Sequence, residues 1–454
     1  MRKYFGTDGI RRIANSELTP ELVYKVAKAG AYVLSKHSDH TPTIFIGRDT
    51  RISGTLIEAA MTAGFLSYGA NVKSLGVIPT PGVAYLTKRY KADASVVISA
   101  SHNTFEFNGI KYFSNKGMKI PDTLEEEIEE VMDSGKIEEL TATNEKIGVA
   151  ENREDLLEEY IYFFRKNFEE DLENLDKENF TVAIDTANGA TYEVADKVFT
   201  KLGIKHYIIN NHPNGVNIND KCGSTHIEGL QEFVVKNKCN LGIAYDGDGD
   251  RCLAVDENGK LIDGDGIMAI LSNYLKEKGK LRNDTLVATV MSNLGLRKYT
   301  KENDIHFEAT QVGDRYVLEN MLKNDYNLGG EQSGHIILLD YNPTGDGILT
   351  SLMLIKIILE KQVSISKLCN IIKLYPQVLV NAKVSADKKY DYEKNIEIKN
   401  AIEELEKEFA GNGRVLIRPS GTEPLVRVMI EGEDQGYIKT KAEALAKLIE
   451  QKLK

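Results

Sequence analysis

The chain has 454 residues, and 57 Lys and Arg against 68 Asp and Glu leave a formal net charge of −11. That acidic balance excludes a protein that coats nucleic acid. With 42% hydrophobic and 28% charged residues, the composition is that of a soluble globular chain of about three domains.

The opening dozen residues hold no apolar core of signal-peptide length. Thr19-Pro20-Glu21 then reads as a helix start, with Thr as N-cap and Pro at the first helical position. Leu22, Val26, Ala29 and Val33 follow at helical spacing. Residues 43–46 form a short apolar strand ending at Gly47-Arg48-Asp49, residues 57–64 a helix, and residues 72–77 another strand. Strand, helix, strand in that order predicts parallel pairing. Residues 95–98 are a further strand, running into a polar loop with Ser99, Ser101, His102 and Asn103. Acidic helices near 124–133 and 154–168 bracket a first junction. The strand–turn–helix pattern restarts at 180–184, before Asp185, and at 286–290, before Met291. Between them, the strand 241–245 ends in Asp246-Gly-Asp-Gly-Asp-Arg251, and 252–255 is again a strand. The longest apolar run, 352–359, is broken by Lys356 and is far short of the ~20 residues a membrane span needs. The last stretch differs: a charged helix over 393–409, strands over 414–417 and 426–430 around the turn 419–424, and a closing helix over 437–453. Strands so close in sequence pair antiparallel, giving a small α+β domain. Cys222, Cys239, Cys252 and Cys369 show no metal spacing and read as reduced core thiols. The cytoplasm is the expected compartment.

Four segments carry chemistry. In the first, Asp246, Asp248 and Asp250 alternate with glycines, so the backbone turns tightly while three carboxylates converge. Hard oxygen ligands of this kind suit Mg²⁺. A calcium loop would use the same residues with Glu257, but its required glycine is Arg251 here and the flanks are strands. Second is Ser101, a hydroxyl at a strand end that can carry phosphate beside such a metal. A hydrolase nucleophile would need a Gly-x-Ser-x-Gly elbow, which is absent, and a residue as close in sequence as His102 rarely serves as base to its neighbour. Phosphoryl transfer also needs cations to stabilise developing charge, for which Lys111 and Arg11 are candidates. The turn Gly329-Gly-Glu331-Gln-Ser333-Gly-His335 is the third, offering an acid, an amide and a hydroxyl that suit a polyol or amino sugar; an ordinary turn is the alternative. Last comes Arg418-Pro-Ser420-Gly421-Thr422-Glu-Pro424, which combines hydroxyls, backbone N–H groups and a guanidinium, as a phosphate cradle does; a tight hairpin turn is the alternative. Arg414, Arg418 and Arg427 stand in this region against one acid, Glu423.

SASHN, DGDGDR, GGEQSG and RPSGTEP, in this order, resemble the α-D-phosphohexomutases over the whole chain. Tyr4-Phe-Gly-Thr-Asp-Gly-Ile-Arg11 and the Gln of GEQSG look most like the branch of that family acting on glucosamine phosphate. The resemblance implies three related α/β domains with mixed or parallel sheets and a smaller α+β fourth around a central cleft, divided as 1–152, 153–254, 255–371 and 372–454. Ser101 would be the phosphoserine, and Asp246, Asp248 and Asp250 would hold one Mg²⁺ per chain with the serine phosphate as a further ligand. Glu331 and Ser333 would contact sugar hydroxyls. Arg418, Ser420, Gly421, Thr422 and Arg427 would clamp the phosphate not reacting. Arg11, His102 and Lys111 would handle protons and charge beside Ser101. The implied reaction interconverts glucosamine 6-phosphate and glucosamine 1-phosphate through glucosamine 1,6-bisphosphate, in amino-sugar nucleotide and cell-wall precursor synthesis. The implied partners are phosphosugars, a second copy of the chain, and a kinase or autophosphorylation that loads Ser101; no nucleic acid or membrane is expected. A phosphomannomutase or phosphoglucomutase with the same machinery is the alternative, and a non-catalytic metal- or sugar-phosphate-binding protein a more distant one. Two departures stand out: Arg12 replaces the family's usual Gly, where an extra guanidinium could touch a phosphate, and Thr104-Phe-Glu-Phe107 follows SASHN in place of Pro and a more polar stretch.

Overall fold

The computed structural model describes residues 3–6, 8–36, 38–420 and 423–454. Among them the first sheet has six strands. Thr43–Arg48 lies between parallel neighbours Asn71–Val77 and Ala94–Ile98. Helix Pro20–Ser35 begins as its sequence dictates, with the Thr19 hydroxyl accepting from the Leu22 N–H at 3.4 Å. It packs on helix Gly54–Tyr68, where a Cβ on Gly64 would lie 2.6 Å from the Tyr24 carbonyl. Strand Phe107–Ser114 runs antiparallel beside Ala94–Ile98, with Lys111 opposite Val97. That register carries Lys111 to the end of the strand from which Ser101 emerges.

In the second sheet Thr181–Asp185 is parallel to both Lys205–Ile209 and the central strand Leu241–Tyr245. Leu241–Tyr245 and Cys252–Asp256 are antiparallel and buried throughout, so Asp246–Arg251 is the loop of a core hairpin. A third sheet pairs Thr285–Thr289 in parallel with His306–Thr310 and Leu328–Gly330. The strand–turn–helix unit read from the sequence thus recurs three times, and antiparallel strands at the sheet margins make the sheets mixed. The apolar run at 352–359 lies in helix Gly347–Lys361, which is buried almost along its length. No helix among the described residues is long and apolar enough to cross a membrane.

The chain divides into two compact units, Met1–Met291 with Ile305–Ile371, and Ser292–Asp304 with Ile372–Lys454. The second unit is α+β: Leu425–Gly432 runs antiparallel between Gln377–Lys383 and Gly413–Pro419, covered by helices Ile396–Phe409 and Gln435–Leu453. The first of these helices starts later than the charge pattern suggests, because Asn395 caps it by accepting from the Glu397 and Ile398 N–H groups. Helix Leu294–Glu302 belongs to this unit; the Asn293 side chain donates to the Tyr375 carbonyl at 2.9 Å and accepts from the Tyr375 N–H at 3.0 Å.

Candidate active site

Ser101 leaves strand Ala94–Ile98 with φ +51°, in the left-handed region that non-glycine residues rarely adopt. Its hydroxyl donates to Asp246 Oδ2 at 2.6 Å. The serine loop and the Asp246–Arg251 loop touch through backbone: a Cβ on Gly247 would lie 2.5 Å from the Ser101 carbonyl, so only glycine permits this approach. Asp246, Asp248 and Asp250 are buried, and each offers an oxygen within 4.8 Å of the others. Glu257, the twelfth ligand of a calcium loop, instead accepts from the Ser366 N–H at 3.3 Å.

The charges within the triad are unbalanced. Burial, and then the charges of Asp250 and Asp248, push Asp246 well above the usual carboxylate range. Burial and Asp248 likewise push Asp250 up. Burial acts on Asp248 too, but Lys111 Nζ at 2.9 Å and the Thr80 hydroxyl at 2.7 Å hold it below that range. Asp248 Oδ1 and Asp250 Oδ1 are buried without a hydrogen-bond partner. Three convergent carboxylates, two of them resisting ionisation and two with orphaned oxygens, fit a divalent cation bound by hard oxygen ligands.

Lys111 and Arg11 both reach this site through Asp8, an acid to which the sequence assigns no role. Asp8 accepts from Arg11 Nη2 at 2.9 Å, pairs with Lys111 Nζ at 3.1 Å and accepts from Lys119 Nζ at 2.5 Å. Lys119 also donates to Asp314 at 2.6 Å. Burial works against charge on Asp8, yet Lys111, Lys119 and Arg11 hold its carboxyl well below the usual range. Arg11 Nη1 donates to the Asn103 side chain at 2.9 Å. His102 is closer to its neighbour than its place in the sequence suggests: Nδ1 lies 3.4 Å from Ser101 Oγ. Burial, then Arg251 and Arg11, push its imidazole down to about 4, so it is neutral at physiological pH.

Glu331, Ser333 and His335 join the same unit. Backbone pairing ties their turn to the metal loop: Arg251 bridges His335, and the Cys252 N–H donates to the Gly334 carbonyl at 3.0 Å. Glu331 accepts from the Gly313 N–H at 3.1 Å, and burial raises its carboxyl. Ser333 Oγ is buried without a partner. Gln332 is engaged elsewhere, donating to Asp263 at 3.3 Å.

The cradle residues lie in the terminal unit. Arg418 stands opposite Arg427 in the hairpin register. Like charges facing across a ladder are unfavourable unless something anionic lies between them. The Ser420 N–H donates to the Leu425 carbonyl at 2.8 Å, and its hydroxyl accepts from the Glu423 N–H at 3.3 Å. Gly421 and Thr422 fall outside the described residues. Arg414 is not part of the cradle: its guanidinium donates to buried Glu431 at 2.7 Å and to the Ser292 carbonyl at 2.9 Å. Arg12, the first departure, is engaged by its own end of the chain, donating to the Lys3 carbonyl at 3.0 Å with its guanidinium over the Tyr4 ring.

Four family descriptions match in chain order: phosphoglucomutase/phosphomannomutase alpha/beta/alpha domain I over residues 2–139, domain II over 158–259, domain III over 263–375, and the C-terminal domain over 379–448. A phosphoglucosamine mutase of Acetivibrio thermocellus is 54% identical over 455 residues, covering all of both chains. One of Clostridium acetobutylicum is 54% identical over 452 residues, again with full coverage. Among solved structures, a putative phosphomannomutase of Thermus thermophilus has a TM-score of 0.79 at 20% identity, covering 99% of this chain and 100% of that one. The N-acetylphosphoglucosamine mutase of Aspergillus fumigatus, in complex with GlcNAc-6P and magnesium, has a TM-score of 0.72 at 16% identity, covering 99% and 96%. At these identities the structural likeness concerns the fold.

Proposed function

The chain belongs to the phosphoglucomutase/phosphomannomutase family of intramolecular phosphotransferases, and we propose that it interconverts glucosamine 6-phosphate and glucosamine 1-phosphate through phospho-Ser101 and glucosamine 1,6-bisphosphate. The observation that carries the reading is the Ser101 hydroxyl lying 2.6 Å from Asp246, within a buried triad of carboxylates. The full-length relatives named as phosphoglucosamine mutases support the amino sugar as substrate.

Asp246, Asp248 and Asp250 would hold one Mg²⁺ per chain, whose charge offsets that of the phosphoryl group in flight. Ser101 gives its phosphoryl group to the sugar 1-hydroxyl, which loses its proton as the new O–P bond forms and the Ser101 Oγ–P bond breaks. The bisphosphate turns over, and its 6-phosphoryl group passes to Ser101 Oγ as the 6-oxygen takes up a proton. Neutral His102 stands within reach of that serine oxygen to accept and return protons. Lys111 and Arg11 supply fixed positive charge. Glu331 and Ser333 bind sugar hydroxyls, and Glu331 attracts a protonated 2-amine. Arg418, Ser420, Gly421, Thr422 and Arg427 bind the phosphate that is not being transferred.

The reading extends to a cytoplasmic enzyme supplying amino-sugar nucleotide and cell-wall precursor synthesis, paired as a homodimer, with Ser101 loaded by a kinase or by autophosphorylation. The test is turnover with glucosamine 6-phosphate, Mg²⁺ and catalytic bisphosphate, beside glucose and mannose 6-phosphates. A mass heavier by one phosphoryl group in the wild type and absent from Ser101→Ala is expected. Equal or better use of mannose phosphate would overturn the choice of sugar.

A further inference from the structure

Ser101 sits in an unfavourable backbone conformation, and such conformations persist only where the surroundings over-determine them. Both of its peptide groups are held. On the amide side, the Ser101 N–H donates to Ser99 Oγ at 2.9 Å, and Ser99 Oγ donates to Asp49 Oδ2 at 2.6 Å. On the carbonyl side, two side chains converge. Arg51 Nη2 donates to the Ser101 carbonyl at 2.9 Å and to the Asn103 carbonyl at 2.8 Å. Asn219 Nδ2 donates to the same two carbonyls, each at 2.9 Å. Arg51 Nη1 reaches on to the Thr104 and Phe107 carbonyls, and Nε donates to Asp49 Oδ2 at 2.8 Å.

A guanidinium 1% exposed, paired to one carboxylate, thus caps four carbonyls of a single loop. Asn219 arrives from the second sheet's side of the molecule, and its amide lies 2.8 Å from where a Cβ on Gly247 would stand. The Thr104–Phe107 departure falls inside this clamp. Arg51 and Asn219 touch none of the reacting atoms.

Resting on the mutase reading, we infer that Arg51 and Asn219 are positioning residues that hold Ser101 left-handed, so that Oγ faces Asp246 and the phosphoryl acceptor. Arg51 does this through the planar fork of its guanidinium, whose geometry a lysine ammonium cannot reproduce. Releasing the loop moves the nucleophile while leaving the carboxylates and the sugar site in place.

The test uses full-length Asn219→Asp, Arg51→Lys and Arg51→Ala. Asn219→Asp keeps shape, removes the donor and turns a carboxylate oxygen onto the two carbonyls. It should lower kcat about 100-fold, the scale expected of a misplaced reacting group, with KM within about threefold of wild type. The ³¹P resonance of phospho-Ser101 should shift or broaden, which a loss of folded protein alone would not cause. Arg51→Lys should behave alike, and millimolar guanidinium, but not equal sodium chloride, should partly restore kcat to Arg51→Ala. If the Arg51 variants fail to fold, Asn219→Asp decides. Variants with wild-type kcat and an unmoved ³¹P resonance, or a kcat loss equal to the unfolded fraction, would overturn the positioning role while wild-type turnover stands. A wild type inactive on all three hexose phosphates would overturn the functional reading itself, and the positioning role with it.

Discussion

The serine and metal loops and the terminal hairpin solve opposite problems. Around Ser101 the three aspartates are buried, and the loop's backbone is tied by the buried side chains of Arg51, Asn219 and Ser99. At the hairpin, Arg427 is a third exposed and its ion-pair contact, with Glu423, is 3.8 Å long. Transferring a phosphoryl group needs atoms placed before the substrate arrives, because stabilisation that must first reorganise comes too late. Gripping a phosphate needs cations brought close together, and the hairpin register sets Arg418 opposite Arg427. One region fixes the backbone around a single hydroxyl, and the other sets two guanidinium groups side by side.

Mutations should separate the two. The largest effect falls on the rigid side: Ser101→Ala removes the oxygen proposed to carry phosphate and should lower kcat by at least about 10⁴-fold, the scale seen when a nucleophile is removed. The loss should come with the fold intact and at most a modest fall in melting temperature, from the lost hydrogen bond to Asp246. Steady-state turnover beside a thermal melt checks both halves. Next comes Asp250→Asn, which removes one of the convergent carboxylates. Its activity should require far more Mg²⁺ than the wild type, and a chelator should stop wild-type turnover until Mg²⁺ is returned. Calcium supporting turnover better than magnesium would contradict the hard, compact site inferred for the triad.

What was legible in the sequence divides along a similar line. Local features read well: the Thr19 cap, the strands ending in polar turns and the carboxylates at every second position all depend on neighbours a few residues away. The clamp and the ion pairs around Asp8 do not. Asp8, Lys119 and Asp314 meet only in the folded chain, where Lys119, bridged to Phe113 of strand Phe107–Ser114, lies between Asp8 and the first residue of helix Asp314–Asn324. Nothing local marks Lys119 out from any other surface lysine. Arg51 reads as one more cation after Gly47-Arg48-Asp49, and its carbonyl partners lie some fifty residues on. Arg414 shows the reverse error, for it looks like part of a basic cradle until buried Glu431 is found beside it.

On the terminal side, Arg418→Ala should cost less. A charge-assisted hydrogen bond is worth about 1.5–3 kcal/mol, which corresponds to roughly 10- to 150-fold in kcat/KM. Phosphorylation of Ser101 by added bisphosphate should weaken with it. A variant with unchanged kcat/KM for both hexose phosphate and bisphosphate would make the hairpin purely structural.

The smallest effect on activity is expected behind the metal loop, where Asp346 caps helix Gly347–Lys361 and accepts from the Tyr160 hydroxyl at 2.9 Å. The Gly347 N–H next to it donates to the Gly249 carbonyl at 3.0 Å, so this cap helps to seat the loop. Burial, partly offset by the Leu349 N–H, raises the Asp346 carboxyl from 3.8 to about 6. A carboxyl raised on folding keeps a proton that the unfolded chain has already lost. Its contribution is therefore full below the unfolded value of 3.8 and disappears as pH rises through about 6. Asp346→Asn keeps an acceptor for the cap and carries no proton to lose. Its melting temperature relative to wild type should climb between about pH 4 and 6 and then level off, a change on the order of 2–3 kcal/mol across the window. Turnover at neutral pH should stay within a few-fold of wild type. A melting difference independent of pH would mean that Asp346 is ionised in the folded chain throughout, and that its hydrogen bonds outweigh its burial.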